Sequence, residues 1–253
     1  MRVLQELNTI YQLLFRSIKG ESHAERIEDF YRGQAERYDA FREQLLYGRR
    51  ELLRALPFVE GGVWVDVGGG TGWSVEQVQD KIERLSQVYI VDVSASLLAV
   101  AQDKIDTYGW TNVTLVNADV ADFTPPEGQV DQVTFSYSLT MIPNWFSALE
   151  RAHQWLREGG RLGVVDFYLS RKYPHHSEGA RHGLLERLLW ISWFYKDGVR
   201  ISTEHLPYLL THFESEILIE SRSSIPYVPL LKTPYYQFIG RKVGQRELED
   251  TLS

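Results

Sequence analysis

The stretch VWVDVGGGTG, residues 63–72, decides the fold. Apolar residues suited to a buried strand surround Asp66, and Gly68, Gly69, Gly70 and Gly72 then crowd one turn before a helical pattern opens at Trp73. Such a turn lets the backbone approach a ligand closely, because side chains are absent where the ligand sits and the helix's first N–H groups point outward. A tight βα turn with no ligand is the plainer alternative. Four glycines in five positions, with an acid two residues ahead, favour a small-molecule site.

Outward from this turn the chain alternates between strands and helices. A helix over Trp73 to Leu85 leads to the strand VYIVD ending at Asp92, and a second helix runs from Ser94, a plausible N-cap, to Tyr108. Asn112 to Asn117 reads as a strand, residues 118–122 as a loop, and VDQVTFSYS from Val130 as another strand. A helix over Asn144 to Leu156, closed by Glu158-Gly159-Gly160, precedes the strand RLGVVDFYL. This order predicts a mainly parallel, Rossmann-like sheet with helices on both faces and a ligand at the carboxyl ends of the strands. Asp66, Asp92, Asp119, Tyr137 and Asp166 fall at or just after those ends.

Residues 171–215 interrupt the sheet before a final antiparallel pair and hold Trp190, Trp193, Phe194 and Tyr195 with His175, His176 and His182. They read as a helical cover on the substrate side or as core packing. The histidines lack the spacing and the accompanying carboxylates of a metal site, so no metal is assigned. The last piece, residues 223–242, packs Pro226, Pro229 and Pro234 into a stiff extended segment before the strand YYQFIG.

The N-terminal 58 residues precede the core and read as a helical lid or cap. Met1 to Ile18 is amphipathic and suits either packing on its own protein or lying on a membrane surface. Residues 25–56 form a second helical region, broken at Gly33 and Gly48, with Phe30, Tyr31, Tyr38, Phe41 and Tyr47. Those aromatics either cap the sheet or cover the ligand.

At 253 residues, 43% hydrophobic and 24% charged, the chain suits one large α/β core with an appendage. A net charge of −7 without a long basic run argues against nucleic acid as a partner. There is no cysteine, so disulfides, thiolate metal sites and a cysteine nucleophile are excluded. No apolar run reaches about 18 residues and no signal-peptide pattern is present, so the expectation is a soluble, cytoplasmic protein.

The ligand follows from the acids. A dinucleotide fingerprint places its third glycine where Trp73 stands, which disfavours a hydride-transfer enzyme. What remains is D-x-G-x-G-x-G with Asp92 twenty residues beyond Gly72, placed to accept both hydroxyls of a ribose. Asp66 is placed to orient the loop or meet a cation, and Asp119 to receive the exocyclic amine of adenine. Adenosine with a positive tail describes S-adenosylmethionine.

At Asp66 to Gly72, Asp92 and Asp119 the chain resembles the class I S-adenosylmethionine-dependent methyltransferases. The resemblance implies their seven-stranded fold, and cofactor contacts from Tyr38, Asp66, Gly68, Gly69, Gly70, Gly72, Asp92, Val93, Asp119, Val120 and Ser136. Three further stretches, FYRGQAERYDAFREQLLYGR at 30–49, TFSYSLTMIPNW at 134–145 and SIPYVPLLKTPYYQFIGR at 224–241, resemble the methyltransferase of betaine-lipid synthesis. That resemblance implies a lipid head-group acceptor, the amine of diacylglyceryl-homoserine, methylated to the quaternary stage, and peripheral contact with a membrane. It further implies that Tyr31, Tyr38, Tyr137 and Tyr235 cage the growing cation. Arg42, Arg49 or Arg171 would meet the homoserine carboxylate, and Asp166 would take the proton or hold the ammonium. A methyltransferase for a soluble amine or hydroxyl, and a non-catalytic partner subunit of the same fold, are the alternatives.

Overall fold

In a computed structural model the described residues are 45–172, 181–195, 199–225 and 228–244, together with Glu25 and Glu28. Chain order within them is α1 (Arg49–Ala55), β1 (Val63–Val67), α2 (Trp73–Gln77), α3 (Gln79–Ile82), β2 (Gln87–Asp92), α4 (Ala95–Tyr108), β3 (Val113–Asn117) and β4 (Val130–Ser136). A 3₁₀ turn (Leu139–Met141), α5 (Trp145–Trp155), β5 (Leu156–Phe167), α6 (Leu184–Tyr195), α7 (His205–His212), β6 (Glu214–Ile225) and β7 (Val228–Arg241) complete it. The seven strands lie in the order β3-β2-β1-β4-β5-β7-β6. The first five run parallel and β7 pairs antiparallel with both β5 and β6. This is the Rossmann-like arrangement expected, with α6 and α7 inserted before the last two strands.

Period-two alternation sends side chains to opposite faces of the sheet. Val63, Val65 and Val67 of β1 join Val133, Phe135, Leu149, Trp155 and Phe238 on one face. Trp64 joins Leu52, Leu56, Ile90, Leu98, Trp190 and Phe194 on the other. Both faces are therefore covered, which is why β1 is buried along its whole length.

Three elements differ from their sequence reading. The helix expected over 73–85 breaks at Val78, whose φ of −121° and ψ of 27° leave α2 and α3 as separate short helices. Glycine does not close α5. Trp155 is followed at once by extended Leu156, and the Lys242 ammonium donates to the carbonyls of His153 and Leu156 at that helix end (2.7 and 2.6 Å). Gly159 instead pairs its N–H with the carbonyl of Lys242 at 2.9 Å. Pro229 and Pro234 belong to the strand itself, since β7 reaches back to Val228, while Pro226 lies outside the described residues. The pairing of β7 with β5 stops at Tyr235, so Pro234 stands where β5 no longer needs an N–H from it.

The lid expected over 1–58 lies outside the described residues up to position 44, apart from Glu25 and Glu28. Its described end is anchored: Leu46, Leu52, Leu53 and Leu56 pack in the same cluster as Trp64. Glu28 accepts hydrogen bonds from the Ser94 hydroxyl at 2.8 Å and the Ser96 N–H at 3.3 Å, at the start of α4. Among the described residues no helix is long and apolar enough to cross a membrane.

Candidate active site

The chain order reverses between β1 and β4, and a cleft forms where strands diverge in this way. A cavity of about 790 Å³, counting space open to solvent, lies there, lined by the glycine turn, the ends of β2 and β4, and Leu46 and Arg49 from the chain before β1. Gly68, Gly70 and Gly72 all take left-handed backbone, with φ of 66°, 52° and 69°. Gly68 through Thr71 line the cavity. Gly72 does not: a Cβ there would lie 3.2 Å from Ile90 Cδ1 and 3.3 Å from Ala101 Cβ, so it provides the close strand–helix packing for which Trp73 is unsuited.

Asp92 ends β2 in the cavity wall. Its carboxylate accepts from the Gly70 N–H at 2.9 Å and from the Ser94 N–H at 2.8 Å. Burial pushes its pKa up to about 6, with those N–H groups opposing the shift and Asp66 adding to it. Asp119 lines the same wall beside Val93 and Val120, and its side chain is held by the Ala121 N–H at 2.9 Å.

Asp66 lies behind the turn, outside the lining. It is fully buried, accepts from Thr134 Oγ1 at 2.6 Å, and is pushed up to about 6 by burial. A Cβ on Gly69 would come within 2.9 Å of its other oxygen, so Asp66 sets the turn from beneath.

Arg49 is the cation of the wall. Its Nε donates to Ser136 Oγ at 3.0 Å and its guanidinium stacks over Trp73, 3.8 Å from the ring centroid. Arg171 lies elsewhere, exposed and paired with Glu204. Tyr137 is the one non-glycine residue with positive φ, 54°, among the described residues. It donates its hydroxyl to the carbonyl of Tyr47 at 2.7 Å and packs edge-on against Phe167 at 4.6 Å. Strain of this kind, on the order of 1–3 kcal/mol, persists where surrounding contacts over-determine the backbone. Tyr235 sits next to Gly48, where a Cβ would meet its ring at 2.7 Å. Tyr31, Tyr38 and Arg42 lie outside the described residues.

Asp166 is not in the lining. It is fully buried and accepts from Thr140 N at 3.0 Å, Thr140 Oγ1 at 2.7 Å and its neighbour Phe167 N at 2.8 Å, which ties the 3₁₀ turn after β4 to β5. Burial raises its pKa to about 7 against those bonds. A carboxylate raised on folding stabilises fully below its unfolded value, and that contribution is lost as pH rises through the folded value. Asp166→Asn should therefore flatten the fall in stability between about pH 4 and 7, by on the order of a few kcal/mol. Urea unfolding across that range measures it, and an unchanged slope would contradict this role.

Leu46, Thr71, Leu97, Ser138, Met141 and Ile142 also line the cavity and were not singled out by sequence. Thr71 was available within the glycine run, and Leu97 lies one turn into the helix that follows Asp92.

The set suits S-adenosylmethionine in shape and in donors. A floor without Cβ atoms admits close approach, Asp92 offers two oxygens with lone pairs beyond its N–H bonds, and Val93, Leu97, Val120 and Ile142 offer apolar sides for a flat base. No group of three or more metal-ligating side chains occurs among the described residues.

Comparison with known proteins agrees with this geometry. Residues 65–160 match a methyltransferase-domain family. The chain is 27% identical over 159 residues to the ubiquinone/menaquinone biosynthesis C-methyltransferase UbiE of Pseudomonas savastanoi, covering 60% of this chain and 62% of that protein. It thus spans less than two thirds of that relative's length. A putative methyltransferase of Bacillus halodurans superposes with a TM-score of 0.61 at 16% identity, over 78% of this chain and 99% of that one. So does a Haemonchus contortus phospholethanolamine N-methyltransferase 2, solved with phosphomonomethylethanolamine and S-adenosylhomocysteine (TM-score 0.61, 15% identity, 86% and 60% covered). Residues 65–160 thus have the sequence of a methyltransferase domain, and the sheet around them has the Rossmann-like methyltransferase fold.

Proposed function

We propose that this protein transfers methyl groups from S-adenosylmethionine to the amine of a lipid head group, diacylglyceryl-homoserine. One observation carries the acceptor reading. The three stretches that resemble the betaine-lipid methyltransferase are far apart in sequence, yet their described parts meet beside the cavity: Tyr137 bonds to the carbonyl of Tyr47, and Gly48 abuts Tyr235 and Gln237.

When bound, the cofactor supplies a methyl sulfonium that is already a strong electrophile. The chain has to hold a neutral amine in line, exclude water and accommodate a cation. Each transfer breaks the S–CH3 bond and leaves S-adenosylhomocysteine, and the first two ammonium products lose a proton to water before the next round. Tyr137 lines the cavity and offers an aromatic face for that cation, and Tyr235 stands close by. Arg49 offers a guanidinium for a carboxylate within the cavity. Among the described lining residues the carboxylates are Asp92 and Asp119, on the ribose and adenine side, and no histidine is present. This favours an amine that arrives neutral over an acceptor that needs a strong base.

A second reading rests on the related UbiE proteins, which are named as C-methyltransferases of ubiquinone/menaquinone biosynthesis. Incubation with methyl-labelled donor and either diacylglyceryl-homoserine, a quinone-precursor phenol or a pool of soluble amines tests the choice. Label confined to the first supports the proposal, and label confined to either of the others overturns it.

A further inference from the structure

Helix α6 turns its inner side, Trp190 and Phe194, into the core and leaves the rest of an apolar sequence in solvent. Leu184 is 73% exposed, Leu185 83%, Leu188 53% and Tyr195 81%, with Leu189 and Ile191 also exposed. A run of exposed leucines on a single twelve-residue helix costs solubility without a partner, and such faces mark interaction surfaces. Phe194 packs on Phe167 at 4.7 Å, and Phe167 on Tyr137, which lines the cavity. The buried side of the helix is thus two ring contacts away from Tyr137 in the cavity wall.

The sequence leading into this helix differs in charge from the whole chain. The protein carries −7, yet residues 171–187, RKYPHHSEGARHGLLER, hold four arginines and lysines against two glutamates, with three histidines. Arg181 is exposed just before the helix, and Arg200 is exposed just after it. Glu186 pairs with Arg222 and Glu204 with Arg171, which leaves Arg181 and Arg200, among the described residues, as the exposed cations at the two ends of the helix.

We propose that the outer face of α6 docks on an anionic bilayer, inserting Leu184, Leu185, Leu188 and Tyr195 while the flanking arginines meet lipid phosphates. An apolar face with a basic rim is the pattern of a helix lying in the interface plane. The helix so docked stays joined to Tyr137 in the cavity wall through Phe194 and Phe167 on its buried side. The inference rests on the reading of the acceptor as a lipid.

The test is co-sedimentation of the full chain with vesicles of phosphatidylcholine and phosphatidylglycerol. The wild type should pellet, less so as salt is raised, and Leu185→Glu/Leu188→Glu should partition about tenfold or more weakly. Both positions are exposed, so the variant should keep its melting temperature and its affinity for S-adenosylhomocysteine. Failure of the wild type to pellet, or equal pelleting of the variant, overturns the proposal. So does a wild-type dimer that the variant converts to monomer, since that means that a second copy covers this face. Methylation of detergent-solubilised diacylglyceryl-homoserine separates the two readings: its loss removes the acceptor, whereas its persistence without vesicle binding removes only the docking.

Discussion

Replacing Asp92 with alanine is expected to weaken binding of S-adenosylhomocysteine by about 100-fold or more, because each hydrogen bond to a charged acceptor is worth about 1.5–3 kcal/mol. The carboxylate is the ribose acceptor in this account, and it also organises the turn by accepting from Gly70 N and Ser94 N. Asp92→Asn separates the two duties: it keeps an oxygen for one N–H and should fold better than the alanine variant while still binding weakly. Titration calorimetry reads the effect, and unaltered affinity in a folded Asp92→Ala protein would remove the ribose role. The same carboxylate gives binding a pH dependence. Its pKa, raised to about 6, means that affinity should decline as pH falls from neutrality through that value, as the acceptor becomes protonated.

Gly68→Ala should be the most damaging single methyl addition in the chain's glycine turn. The new Cβ would lie 2.3 Å from Ser138 Cβ, and φ at 66° is unfavourable for any L side chain. Strain and overpacking together come to about 2–5 kcal/mol, which corresponds to a drop of roughly 4–20 °C in melting temperature for a domain of this size. Ser138 cannot move aside cheaply because its hydroxyl donates to Val67 O at 2.7 Å. Gly128→Ala is the control: it also has positive φ but nothing lies within 4 Å of its Cβ, so it should cost only the backbone term. Equal losses in the two variants would contradict the packing argument.

What the sequence disclosed and what it hid divide along physical lines. Strands were legible because burial on both faces demands continuous apolar runs, and Asp92 because a fixed number of residues separates it from the glycine turn. Ser94 was legible as a cap, and its hydroxyl does accept from Leu97 N at 3.3 Å. Asp166 looked like Asp92 in pattern, a carboxylate at a strand end. It differs because its oxygens turn toward Thr140, which is a tertiary pairing over 26 residues that no local pattern encodes. Arg49 and Arg171 were equivalent by type. Stacking on Trp73 places one in the wall, and an exposed partner, Glu204, holds the other on the surface. Lys242 was invisible as a helix cap because it arrives from 86 residues beyond Leu156. The left-handed Tyr137 was likewise unreadable, since nothing in a tyrosine's sequence context signals positive φ.

The central claim is that the cavity at the ends of β1, β2 and β4 delivers a methyl group to a lipid amine. It is tested most directly by mass spectrometry of diacylglyceryl-homoserine after incubation with methyl-labelled donor and either the wild-type chain or Asp92→Ala. The account predicts labelled methyl groups on the head-group nitrogen, progressing to the quaternary product, with the wild type only. An unlabelled lipid in the presence of a wild-type protein that binds S-adenosylhomocysteine would contradict it.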